Sequence, residues 1–167
     1  MNIVFTDTEK STQRKIKRYS GKLAAAGSGV ILFGVWSIVK VVLFNSINQV
    51  SNIDEIFVGV LKDKETFAIA LYVLALFEFA FRFYVGESAR REAFGKKRNS
   101  FYLVVATILF IISVGSTAYV LLYTFDINNI GNFLIATILE GTSSYMFGAL
   151  IYYSIKTKQM TKLLKTE

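Results

Sequence analysis

Cysteine, histidine and proline are all missing from the 167 residues. Without cysteine there is no disulfide framework, no thiolate nucleophile and no Cys-bound metal or cluster. Without histidine the commonest metal ligand and general base is gone as well. Charge is also scarce: charged residues make up 19%, against roughly 25% in a soluble domain. Catalytic signatures are lacking too. Gly95–Lys96–Lys97 has neither the upstream glycine nor the following Ser or Thr of a phosphate-binding loop, and there is no HExxH or GxSxG. Ser37 and Lys40 sit three apart on one helical face, a spacing that many membrane helices offer by chance. The expectation is therefore no enzyme, no metal and no cofactor.

What is present is hydrocarbon-like. Hydrophobic residues reach 53% and the mean hydropathy is +0.46. Four segments, about 23–44, 67–85, 101–123 and 133–155, are apolar for the roughly 20 residues that a bilayer crossing takes. The third carries no charge from Phe101 to Tyr123. One such segment suits a buried helix of a soluble protein, but four in so short a chain leave nothing to cover them. The apolar runs are continuous rather than alternating, which predicts helices and not a transmembrane β-barrel. The expected fold is all-α: an integral membrane four-helix bundle, residues 23–155, flanked by a basic leader (1–22) and a basic tail (156–167).

The positive charge of +7 is distributed as a topology signal. Lys10, Arg14, Lys15, Lys17, Arg18 and Lys22 precede the first span. Arg90, Arg91, Lys96, Lys97 and Arg98 lie between the second and third. Lys156, Lys158, Lys162 and Lys165 follow the fourth. The other two connections hold only Lys62 and Lys64 against Asp54, Glu55, Asp63, Glu65 and Asp126. Basic loops stay cytoplasmic, so both termini are expected inside a multi-pass protein of the cell membrane. The basic flanks also suit anionic lipid headgroups as partners and do not form a nucleic-acid-binding domain. Thr8–Lys22 reads as a basic amphipathic helix on the inner surface. In the outer connection Ser51 and Asp54 resemble a capping box ahead of Ile56, Phe57, Val60 and Leu61, which predicts a short amphipathic helix. No internal repeat brings Glu78 and Glu140 into register.

Small residues recur at helical spacing. Gly21, Ala25 and Gly29 form one ridge, and Thr137, Gly141, Ser144 and Gly148 form another. Helices in lipid associate where small side chains let backbones approach, so both are expected to be packing surfaces. They serve the bundle, a homo-oligomer or a membrane protein partner.

Four ionisable residues fall inside the spans: Lys40, Glu78, Arg82 and Glu140. Each costs roughly 2.5–3.5 kcal/mol at mid-membrane, so each needs a reason to be there. Counted from the outer ends, Lys40 lies roughly 8 Å deep, Glu140 about 12 Å, Glu78 about 18 Å and Arg82 about 24 Å. On a structural reading Lys40 and Arg82 snorkel and the carboxylates are neutral or paired. On a functional reading all four line a polar pathway with Ser113, Ser116, Thr117, Ser143 and Ser144. Short acidic side chains cannot snorkel far, which makes the glutamates the sharper signals. Two functions compete. One is an oligomeric ion channel or ion-coupled small-solute transporter using the intramembrane glutamates. The alternative is a non-catalytic partner, scaffold, immunity or membrane-perturbing effector subunit that acts through helix association. A lipid-directed intramembrane enzyme is the third reading, and no nucleophile or metal set accompanies its carboxylates.

Overall fold

A computed structural model of the chain describes residues 7–46, 64–96, 100–123 and 130–166. Four α-helices account for nearly all of them: α1 (Asp7–Ser46), α2 (Lys64–Ala93), α3 (Phe101–Tyr123) and α4 (Ile130–Thr166). All four are long and apolar enough to cross a membrane. With no proline in the sequence, nothing removes an N–H from a helix interior. The predicted outer-connection helix falls at residues 51–61, outside the described residues.

At 1.5 Å per residue, α1 with its 40 residues and α4 with its 37 far exceed the roughly 30 Å of hydrocarbon. The basic leader is helical, but it runs uninterrupted into the first span as part of α1. The residues that separate leader from span, Gly21 to Ala26, include a run of alanines that favours helix, and nothing there turns the backbone.

Where α2 ends, the chain uses a specific device. Gly95 sits at φ 77°, the Gly95 N–H donates to Glu92 O (2.9 Å), and the Lys96 N–H donates to Arg91 O (3.0 Å). This pair of bonds closes a helix C-terminus on a left-handed residue, and glycine takes that conformation without a Cβ penalty. Arg90 and Arg91 in the last turn also complement the helix dipole. Gly95 is thus a helix stop.

Contacts between helices give the order of packing. Gly27 faces Gly86 and Gly34 faces Arg82, so α1 and α2 are antiparallel. Gly29 of α1 lies against Met146 of α4, while Lys22 meets Tyr153 further back. Tyr102 of α3 meets Ser154 of α4, and Ser113 meets Ser144. The bundle is therefore up-down-up-down, with the first described residue of α1 and the last of α4 at one end, called here the termini end. The α1–α2 interface is the most extensive, followed by α1–α4 and α3–α4, whereas α2 touches α3 only sparingly.

The core lies in the half nearer the termini. Leu23, Val30, Val85, Tyr102, Phe147 and Leu150 are buried there together with Ala26, Ala89 and Ala106. Outward faces are apolar as well: Leu32, Leu74, Ile111 and Leu122 are among the most exposed side chains. A water-soluble bundle hides such residues, while hydrocarbon accepts them.

Candidate functional site

The half away from the termini is organised around charge. Arg82 is the most buried charged residue of the spans, 8% exposed. Its Nε donates to Glu78 Oε1 (2.8 Å), and its Nη2 lies 2.6 Å from the same oxygen. Residues four apart lie one above the other on a helix, which makes this pairing a property of α2 alone. The remaining contacts come from other helices. Nη1 donates to Ser143 Oγ on α4 (2.9 Å), and the Phe147 ring lies 5.3 Å below the guanidinium. On the opposite side Gly34 of α1 makes room: a Cβ there would stand 3.2 Å from Arg82 Cβ. Arg82 therefore does not snorkel. It is held by charge-assisted hydrogen bonds and a ring face, the combination a desolvated guanidinium requires.

Lys40 and Glu140 form the second pair. Lys40 Nζ lies 3.2 Å from Glu140 Oε1, bridging α1 and α4, with the two side chains 46% and 21% exposed. This pair is more open than the first.

Both pairs line one cavity of about 510 Å³ between the four helices. Ser37, Ser113, Ser116 and Ser143 add hydroxyls to its wall, and Trp36, Leu74, Phe77, Phe81 and Ile112 supply its apolar surface. Of the hydroxyl residues expected along a pathway, Ser113, Ser116 and Ser143 thus reach the cavity. Thr117 and Ser144 instead bond to each other (3.1 Å), and Ser144 also to Ser113 (2.9 Å), tying α3 to α4. No protein-family model, curated protein or solved structure matches the chain. Its chemistry has to be read from these residues.

The cavity ends where the core begins, and beyond the core lies a second polar cluster that the sequence reading did not single out. The fully buried Tyr102 hydroxyl donates to Glu92 Oε2 (2.7 Å) and shares a hydrogen bond with Ser154 Oγ (2.6 Å). Ser154 donates to Glu92 Oε1 (2.9 Å), and Lys158 Nζ lies 3.4 Å from Glu92 Oε2. Lys158 also donates to Ser100 Oγ (3.0 Å). This network joins α2, α3 and α4 at the termini end. The one sequence signal for it is an acidic residue, Glu92, set beside a block of arginines.

Small residues divide by environment. A Cβ on Gly86 would stand 2.5 Å from Gly27 O, and one on Gly27 2.7 Å from Gly86 O. Gly27 and Gly86 thus bring the backbones of α1 and α2 directly against each other, and this pair is not contained in either predicted ridge. A Cβ on Gly29 would stand 2.9 Å from Met146 Sδ, and one on Gly148 3.4 Å from Phe110 Cε2. Gly21 and Gly141 face open space, and Ala25 is exposed. Thr137 places a buried Oγ1 without a hydrogen-bond partner.

Proposed function

We propose that the chain is a small membrane carrier, an ion-coupled small-solute transporter that binds its cargo in the cavity of the far half. The observation that supports this most is the convergence of Lys40, Glu78, Arg82 and Glu140 on one cavity. Pairing alone accounts for each couple, Glu78 with Arg82 and Lys40 with Glu140, but nothing in pairing requires the two couples to share one cavity. The packed core and the Glu92–Tyr102 network stand across the path toward the termini end. Such a one-sided cavity suits alternating access better than an open channel within one copy. Glu78 carries the coupling cation or proton, with Arg82 as its counter-charge, and the Lys40–Glu140 pair faces the cargo. No covalent step is needed, and the protein works without a cofactor.

The basic leader, the segment after α2 and the tail support a reading in which both termini lie in the cytoplasm of a cell-membrane protein, beside anionic headgroups. Purified protein in liposomes should move solute or ions, and Glu78→Gln or Glu140→Gln should abolish that flux. Flux indifferent to both changes removes the glutamates from the mechanism. A second reading, a subunit acting through helix association with another copy or a partner, is favoured by Gly21 and Ala25, which are exposed, and by Gly141, where an added Cβ would meet nothing within 4 Å. A stoichiometric complex in mild detergent, with no flux from the isolated protein, selects it.

A further inference from the structure

The charges that line the cavity are two cations and two anions, and they sum to zero. That balance constrains what can enter. A net cation seated on Glu140 would displace Lys40 and leave an unpaired ammonium in a site flanked by hydrocarbon. A net anion on Lys40 would strand Glu140 in the same way. Uncompensated charge of this kind is costly wherever water is scarce. A molecule bearing both signs avoids the problem by exchanging partners: its ammonium takes Glu140, its oxyanion takes Lys40, and the cavity stays neutral.

The two ion pairs are not equally free to exchange. Arg82 is fixed by Glu78, Ser143 and the Phe147 ring, whereas Lys40 is 46% exposed and, among the described residues, is held by Glu140 at 3.2 Å. The apolar walls mark where the rest of such a molecule lies. Phe77 and Phe81 of α2 and Leu109 and Ile112 of α3 line the cavity, and those two helices touch only sparingly. The exposure of Phe77, Phe81 and Ile112 opens this flank outward, toward the hydrocarbon.

We infer that the cavity binds a small zwitterion, an ammonium and an acidic oxyanion a few bonds apart, carried on an apolar group that lies between α2 and α3, with the Lys40–Glu140 pair as the element that opens to receive it. The inference rests on the carrier reading only for what happens after binding. The same chemistry comes from two sources, a zwitterionic lipid headgroup or a free amphiphilic amino acid.

Trp36 is the only tryptophan and lines the cavity, so its emission reports occupancy. Full-length protein in an uncharged detergent is titrated with lysophosphatidylethanolamine, leucine, dodecylammonium and dodecyl phosphate. A saturable change with a zwitterion, at least about tenfold weaker in Lys40→Met/Glu140→Gln, is expected. The charge-swapped Lys40→Glu/Glu140→Lys variant keeps the pair and should stay within about threefold of wild type. Saturation by lysophosphatidylethanolamine alone identifies a lipid headgroup, and saturation by leucine identifies a free amino acid. Equal or tighter saturation by either singly charged amphiphile, no saturable response to either zwitterion, or undiminished affinity without the pair overturns the inference. Binding without flux refutes the carrier reading and leaves this inference standing. Cation flux that depends on Glu78, with no zwitterion binding, does the reverse.

Discussion

Gly86→Ala is the smallest change that tests how α1 and α2 are held together. The added methyl would stand 2.5 Å from the Gly27 carbonyl oxygen and 2.6 Å from Ile31 Cγ1. The nearer obstacle is backbone, which cannot rotate aside as the end of a side chain does. Restoring ordinary contact requires the helices to part by roughly 1 Å, a gap that forfeits about a quarter to a half of the dispersion well for atom pairs across the seam. This seam is the most extensive in the bundle, and hydrophobic exclusion does not replace lost packing in lipid. Overpacking of this kind costs about 1–3 kcal/mol, and the better helix propensity of alanine offsets at most about 1 kcal/mol. Taking about 2 kcal/mol for the overpacking, the middle of that range, and subtracting at most about 1 leaves a net loss of at least about 1 kcal/mol. The assay is titration of sodium dodecyl sulfate into protein in mild detergent, following Trp36 emission. The midpoint should fall for Gly86→Ala and stay level or rise for Gly21→Ala, whose Cβ would meet nothing within 4 Å. Equal midpoints for Gly86→Ala and wild type would refute the glycine crossing as the contact that sets the α1–α2 distance.

Three further outcomes are expected. Arg82→Met leaves Glu78 and Ser143 without their donor and should cost about 3 kcal/mol in the same titration, while Arg82→Met/Glu78→Gln should recover at least half of it; no recovery would mean that Arg82 stabilises through packing instead of charge. Tyr102→Phe removes a hydroxyl bonded to Glu92 and Ser154 and should cost about 1–2 kcal/mol, read by the same midpoint, because those two groups keep each other. Since the chain has no cysteine, single thiols map orientation: an impermeant maleimide applied to intact cells should label Gly59→Cys and not Lys96→Cys. Lys96 is chosen over its neighbour because Gly95 holds φ 77°, a conformation that a cysteine would strain.

The two ion pairs were differently accessible to a reader of the sequence. Glu78 and Arg82 are four apart on one helix, so geometry internal to α2 brings them together. Lys40 and Glu140 are 100 residues apart, and only their similar estimated depth suggested a meeting. The Glu92–Tyr102–Ser154–Lys158 cluster had no such cue. A glutamate beside Arg90 and Arg91 looks like ordinary loop charge, and its role appears only once α3 and α4 are packed beside it.

Hydropathy alone determined that four segments of this chain are helices suited to hydrocarbon, because transfer from water to lipid depends on composition over a short stretch of chain and on nothing distant. It did not determine which face of each helix points inward. Lipid is as apolar as a protein core, so the outward faces carry the same Leu, Ile and Phe as the inward ones, and no hydrophobic stripe distinguishes them. Only tertiary packing decided that Gly27 meets Gly86 and not the Gly21–Ala25 ridge, that the core fills the half nearer the termini, and that the four charges of the spans line one cavity in the other half.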